Sequence, residues 1–534
     1  MRLKMFNVFK DIPQIPKWLE DFLKTGNTED MTIMEYGEQA LLAKQIDVEL
    51  ENNAGPQRHQ RKIPEQITML EASILMMYRF KFFNVYTDKG HVNTQLAMYI
   101  ESGDDQGIYS TNIDLMEKQL FRIAPTFEIR HRKEVLANIS LTVPDVGQTE
   151  HADLVPVNNG VFDKKAQELR PFSPKFVFLS KLGTNYNPDA KKPLYTFSDG
   201  VQWTPDELFQ VASDDPETEK LLWQVASDFF QPNFTREKSI FFYSEKGNNG
   251  KGTFGTLLES IAGENNVAHL AVDDLNHEFL KESLIGKVGN IAHENNVNDY
   301  IDNVRDFKAL VTGDNITVNR KYEKPISFQF KGTNIQMFNG LPKTKDKSAS
   351  FYRRLLLIPF TRSFTNNGQR PDIKNVFIHQ TDVKEYVLRK ALQLQFTEFI
   401  EPSQSKLALE HYQTSNDPVI EFWEEMEDEF VWDLLPTTFL YDLFVEYFKR
   451  NNPSGRPISR QSFLSQLKIH LDGDVNWDDK SDKKVWRGSH MDKDEPLITE
   501  YNLTRWMDQT YRGNDLAKLR DFPKSQNYRG FTRK

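Results

Sequence analysis

The chain has 534 residues, no cysteine and a formal net charge of −10, which excludes disulfides, thiolate-zinc fingers and iron–sulfur clusters. The acidic balance argues against indiscriminate coating of nucleic acid, so any such contact must use local basic patches. The length and a hydrophobic fraction of 38% imply three or four packed domains, while the lack of a bilayer-length apolar run or a signal-peptide pattern at MRLKMFNVFKDIPQ makes a soluble, cytoplasmic protein the expectation.

Residues 1 to about 62 combine an amphipathic opening with the polar stretch ELENNAGPQRHQRKIPE, which reads as a linker or exposed loop. In QIDVELENN, Asp47 and Glu49 alternate as strand neighbours would and form the only nearby acid pair suited to two metals. No histidine or third acid completes such a site, and a surface strand or loop is the simpler reading. ITMLEASILMMYRFKFF, TQLAMYIES and DLMEKQLFRIA carry apolar residues at helical spacing, so residues 1–145 are expected to form a mainly helical N-terminal domain. Residues 146–235 mix short strands with the helix PETEKLLWQVASDFF.

The most informative stretch follows, SIFFYSEKGNNGKGTFGTLLESIAG, beginning at Ser239. A buried strand breaks into a Gly/Asn-rich turn and resumes as a helix. Gly247, Asn248, Asn249 and Gly250 accept positive φ, which turns backbone N–H groups toward a phosphate. Lys251 supplies a point charge, and the helix adds the positive end of its dipole. Against the pattern G-x-x-x-x-G-K-[ST], Glu245 stands at the first glycine and Gly252 at the magnesium-binding hydroxyl, leaving Thr253 as the next hydroxyl in line. Such a turn can also be only a turn.

In LIGKVGNIAHENN an apolar stretch ends in Glu294, placed to bind Mg²⁺ and polarise water, or merely to cap a strand at the surface. The segment from Asp306 to Phe330 reads as a short helix and then a β-hairpin, with Arg320, Lys321 and Lys324 at or near its tip. A further strand, Ile335 to Phe338, ends in Asn339-Gly340-Leu341-Pro342, and Arg353-Arg354 precede the apolar run Leu355 to Phe360. A strand-end asparagine can reach a γ-phosphate, and an arginine can act across a subunit boundary. After about residue 420, LLPTTFLYDLFVEYFKRNN and SRQSFLSQLKIHL read as two helices, starting near Thr437 or Thr438 and at Ser459, followed by a strand-turn-strand in VNWDDKSDKKVWRGSHMD. That order is winged-helix-like, with Arg456, Arg460, Lys468, Arg529, Arg533 and Lys534 available for phosphates; a protein-binding winged helix fits equally.

The ordered set GNNGKGT, IAHE, TGD-x-I-x-x-x-R, N-x-L-P and YRR-x-x-x-IPF resembles the superfamily 3 helicases, in particular the branch containing the poxviral and satellite-phage primase-helicases. The segment VPVNNGVFDKKAQELRPFSPKFVFLSKLGTNYNP is similar to the domain that precedes the motor in that branch, and the resemblance covers roughly residues 150–420. It implies a multidomain α/β chain: residues 1–145, a pre-motor domain at 146–235, an AAA+-like P-loop ATPase core with a parallel sheet at 236–420, and a winged-helix-like domain at 421–534. It further implies a homo-oligomeric ring, usually a hexamer, that uses ATP and Mg²⁺ to translocate on single-stranded DNA and unwind forked DNA for a phage or mobile element in a bacterial cytoplasm, alongside a separate primase or other replication protein.

Carried over by residue, Gly247, Asn249, Gly250, Lys251, Gly252 and Thr253 hold the nucleotide, and Thr253 and Glu294 hold the metal. Glu294 is then the Walker B acid, Asn339 the polar sensor, Arg354 with Arg353 as rival the trans-acting finger, and Arg320, Lys321 and Lys324 the DNA-gripping hairpin. The single acid at Glu294 and the glycine at 252 depart from the family pattern. An ATP-switched initiator that binds origin DNA, or a primase-helicase with a reduced N-terminal primase, are the alternative readings.

Overall fold

The computed structural model describes residues 15–24, 30–55, 60–244, 247–295, 300–301, 304–320, 325–344, 346–364, 370–451, 455–508, 510–513 and 527–534. Its contacts divide the chain into two units, one within 1–346 and 353–406, the other within 347–352 and 407–534. Among the described residues no helix is long and apolar enough to cross a membrane.

After helix Lys17–Lys24 the first unit continues with helices Ile33–Ala54 and Met69–Arg79, each started by a reciprocal Thr/Glu capping box, Thr32 with Glu35 and Thr68 with Glu71. QIDVELENN lies inside the first of these. Asp47 and Glu49 are therefore not strand neighbours: two positions apart on a helix they diverge by ~200°, which removes the paired-metal geometry. Helices dominate the described part of residues 1–145, but the helical reading of TQLAMYIES is corrected. TQLAMYIES forms the strand Thr94–Tyr99, paired to Phe82–Tyr86 in a four-stranded sheet with Tyr109–Ser110 and Asp145–Val146. Leu96 and Met98 enter one core cluster while Ala97 and Tyr99 enter another. A strand buried on both faces loses its alternation, and a short apolar run of that kind cannot be told from a helix by period alone.

The centre of this unit is an all-parallel sheet, whose strands are labelled here β1 (Ser239–Tyr243), β2 (Val267–Ala268), β3 (Gly289–Ala292), β4 (Thr333–Phe338) and β5 (Leu355–Pro359), in the order β2-β3-β4-β1-β5. β1 is flanked by β4 and β5 along its whole length, from Ser239 against Asn334 and Leu355 to Tyr243 against Phe338 and Pro359. Because the strands are parallel, all their C-terminal ends lie at one edge of the sheet. Helix α1 (Lys251–Ala262) returns across one face, and Gly255 permits the close approach: a Cβ there would stand 2.3 Å from Met337 Cε. The expected hairpin is present as strands Asn315–Val318 and Ile326–Gln329 after helix Val304–Thr312.

One hydrophobic core runs from Val155, Phe162 and Trp203 through Leu221, Ile240 and Phe254 to Ile335, Val387 and Phe399. Packing therefore does not separate 146–235 from the parallel sheet. Beneath it lies a buried polar knot. Asp228, at the end of helix Pro216–Phe229, pairs with Arg236 and accepts from Thr333 Oγ1 at 2.6 Å, while Arg236 also donates to the Phe396 carbonyl at 3.2 Å and stacks on the Phe396 ring.

The second unit orders helix Pro418–Met426, strand Leu434–Pro436, helices Thr437–Asn451 and Arg460–His470, and strands Trp477–Trp486 and Asn527–Arg533, with the C-terminal strand between the other two. The expected strand-turn-strand at 475–492 is instead a single strand with a bulge between Lys480 and Val485, paired to the C-terminal strand. Its polar, charged centre imitates a turn because most of that strand is solvent-facing. The core is aromatic, built on Trp423, Phe430, Trp432, Phe439, Trp477 and Trp506, and Glu495 is wholly buried with its carboxylate capping the Val431 and Trp432 amides at 2.9 and 3.0 Å.

Removing one partner of a buried ion pair strands the other charge, at a cost of ~3–5 kcal/mol, whereas a half-exposed pair contributes at most ~1 kcal/mol. Arg236→Met is expected to lower the urea midpoint of the first unit sharply, and Lys238→Met, which breaks the 3.0 Å pair to Glu401, to shift it little.

Candidate active site

The loop between β1 and α1 has the backbone its sequence demands. Asn248 and Gly250 adopt left-handed conformations, φ 57° and 85°. At Gly250 the choice is forced twice, since a Cβ would also meet Val211 Cγ2 at 2.3 Å. The loop is tied down by its neighbours: the Phe364 amide donates to the Asn248 carbonyl at 2.8 Å, and the Lys251 amide donates to Asn249 Oδ1 at 3.2 Å. The first turn of α1, carrying Gly252 and Thr253, leaves amide donors without intrahelical acceptors at this edge.

Lys251 is 6% exposed. Its ammonium donates to Ser244 Oγ at 2.9 Å, the Phe338 carbonyl at 2.6 Å and Asn339 Oδ1 at 3.1 Å. These three acceptors are uncharged, and burial lowers the lysine pKa from 10.5 to about 8. The acceptors come from the C-terminal ends of β1 and β4, which the parallel pairing holds side by side. Asn249 also hydrogen-bonds Ser244, so a single hydroxyl joins strand, loop and lysine.

Glu294 is exposed two residues past the end of β3, at the same edge of the sheet. Its neighbours are fixed: Asn295 bridges the Val272 amide and the Met337 carbonyl at 3.0 and 3.1 Å, and His293 Nε2 lies 2.7 Å from Glu259 of α1. Among the described residues no group of three His, Asp or Glu side chains is assembled as a metal cage. A Mg²⁺ ion needs none, because it is commonly held by one or two carboxylates together with substrate phosphates.

Arg353 and Arg354 stand apart from this cluster. The Ser239 amide, at the start of β1, donates to the Arg354 carbonyl at 2.7 Å, so both arginines lie at the N-terminal edge of the sheet, the full length of β1 away from the loop. Arg354 lines a polar cleft with Arg305, Lys308, Asp314 and Asp346. Arg320 lies two residues past the first hairpin strand with Nε 3.2 Å from Glu282 Oε1. Lys321 and Lys324 lie outside the described residues.

Sequence reasoning missed Ser244, because no spacing rule marks the residue that follows β1. It also missed the part of the site contributed from outside the loop: Val211 beneath Gly250, the Thr361 amide bonded to Ala212 carbonyl at 2.8 Å, and Lys374 beside Gly252. In the second unit Arg460, Lys468 and Arg529 line one cleft, whereas Arg533 is engaged with Asp433, the Phe430 carbonyl and the Trp477 ring.

Three family models match in series. Residues 97–211 match one described as D5 N terminal like, residues 242–354 a family of unknown function (DUF5906), and residues 414–505 one described as Poxvirus D5 protein-like. Among solved structures, an apo structure of the NrS-1 C-terminal region is similar at 14% identity, covering 78% of this chain and 88% of that chain with a TM-score of 0.40. Another, of NrS-1 residues 305–718, gives 13% identity, 76% and 86% coverage and a TM-score of 0.42. No curated protein matches. The chain is thus a mixed α/β protein whose parallel sheet lies between two segments, 97–211 and 414–505, that are similar to D5-type models.

Competitive acetylation across a pH series is expected to show Lys251 titrating near 8, well below the ordinary 10.5. Ser244→Ala removes an acceptor that favours the ammonium, so it lowers the value further.

Proposed function

We propose that this chain is an ATP-dependent DNA helicase that works as a ring, with nucleotide hydrolysed between subunits. The observation that carries the reading is the Lys251 ammonium, buried among uncharged oxygens beside a loop of left-handed residues and the bare start of a helix. A buried cation that has no carboxylate partner among the described residues is poised for an anion, and a triphosphate on the loop would replace weak acceptors with strong ones.

In this reading backbone amides from Gly247 to Gly252 bind the phosphates, with Asn249 shaping the loop that presents them. Thr253 and Glu294 hold Mg²⁺, which when bound offsets the charge of the phosphate oxygens. Glu294 orients the attacking water. Asn339, already bonded to Lys251, reports the γ-phosphate to the end of β4. Arg354, or Arg353 beside it, acts on a neighbour's nucleotide. Five residues of β1 at ~3.3 Å each separate these arginines from their own loop, which supports action in trans and therefore an oligomer, a hexamer by family analogy. Arg320, Lys321 and Lys324 couple nucleotide state to single-stranded DNA.

The second unit supports a winged helix by element order and by a sheet in which the last strand lies between the first and second. Arg460, Lys468 and Arg529 are its proposed phosphate contacts.

The decisive comparison is Mg²⁺/ATP-driven strand displacement on a forked duplex by wild type, Lys251→Ala and Arg354→Ala, together with ATPase assays on mixtures of the two variants. Each variant alone is expected to be inactive, a trans arginine being worth ~10³-fold or more in rate. Mixed equally, they should regain activity at about a quarter of the interfaces, those that combine an intact lysine with an intact arginine. Hydrolysis without strand displacement would favour an origin-binding initiator, and failure of the mixtures to complement would remove the trans assignment.

A further inference from the structure

Next to the loop lies a cavity of about 490 Å³, within the ~300–1,000 Å³ of small-molecule clefts. Its apolar wall comes from both sides of the loop in sequence: Phe197, Trp203, Leu208 and Val211 from before it, Phe364 and Ile373 from after it. The wall is rigid. Phe197 and Trp203 both pack on Phe377, with ring centroids 5.2 and 5.5 Å away. Asn248, Gly250 and Thr253 also line the cavity, so it opens directly onto the proposed phosphate site.

Three cations border it, and two are committed to the wall. Arg362 pairs with Asp214, and Arg370 binds Asp199 at 2.6 Å while standing 4.6 Å over the Phe197 ring. Lys374 differs: among the described residues it has no carboxylate partner, and its Nζ lies 3.9 Å from the point a Cβ at residue 252 would occupy. Residue 252 is where the usual phosphate loop carries its hydroxyl. Here a glycine leaves that side of the helix start open, and an ammonium faces it.

Building on the nucleotide reading of Lys251, we propose that this cavity seats the base and ribose of a nucleoside triphosphate, and that Lys374 is a second phosphate-binding cation supplied by the same chain. A flat heterocycle fits between apolar and aromatic walls, and the phosphates leave the cavity at Gly250 and Thr253, between Lys251 on one side and Lys374 on the other. Lys374 thereby adds phosphate contact where the loop lacks its hydroxyl.

The test is equilibrium binding of a fluorescent ATP analogue to the full-length protein across a salt series. Lys374→Ala alters an exposed side chain and is expected to weaken binding about tenfold and to flatten its salt dependence, with recovery in Lys374→Arg. Val201 lines the cavity and is 47% exposed; Val201→Trp fills the cavity without changing charge and should weaken binding by a similar factor while leaving the salt slope intact. If both variants bind like wild type while Lys251→Ala does not bind, the cavity and Lys374 assignments are overturned and the loop reading survives. Binding that persists in Lys251→Ala, or none in wild type, removes the loop reading and this inference with it.

Discussion

A lysine ammonium held by a carbonyl, a hydroxyl and an amide oxygen, with burial working against its charge, is the interaction around which the first unit is arranged. Its acceptors belong to the residue just beyond β1, the end of β4 and the residue just beyond β4, so it can form only if two strands distant in sequence run parallel and in register. The close passage of α1 over β4, allowed at Gly255, sets the height of the lysine above the strand ends. The desolvation that lowers its pKa is a standing cost to the empty protein. An anionic ligand would offset that cost, and the proposal that the loop binds phosphate rests on this.

The same sheet gives the molecule two chemically distinct edges. One gathers Lys251, Asn339, Thr253 and Glu294 at strand C-termini, where open α/β sheets present ligands. The other carries Arg353 and Arg354. Parallel strands thus set these two groups apart by the length of β1, and in the proposed reading association between chains reunites them. The region ahead of the motor is equally part of the first edge, because Val211 supports Gly250 and Ala212 receives Thr361. A shared core without a break at 235 is what allows a segment outside the loop to shape the site.

Much of this was legible in the sequence for a definable reason. The loop, the end of β3, the hairpin and the Asn339 turn are local features, each announced by glycine, asparagine or an apolar run with a charged stop. Their ordered combination carried the family resemblance, and the structure puts Lys251 and Asn339 in direct contact. The rest depended on tertiary partners. Thr94–Tyr99 is buried on both faces and loses its alternation, QIDVELENN is a surface helix whose acids merely happen to alternate, and the Trp477–Trp486 strand is polar enough to imitate a turn. Ser244 and Lys374 lie in no motif at all; only folding brings them to the loop.

The account stands most directly on the charge state of Lys251. Titration calorimetry of ATP binding near pH 8.5, in buffers of differing ionisation enthalpy, counts protons exchanged with the site. A lysine with a pKa of about 8 in the empty protein is largely neutral at that pH and charged once a triphosphate is bound. Wild type should therefore take up most of one proton, and Lys251→Arg, permanently charged, none. Binding with no proton uptake by wild type, or equal uptake by both proteins, would contradict a phosphate site built on this lysine.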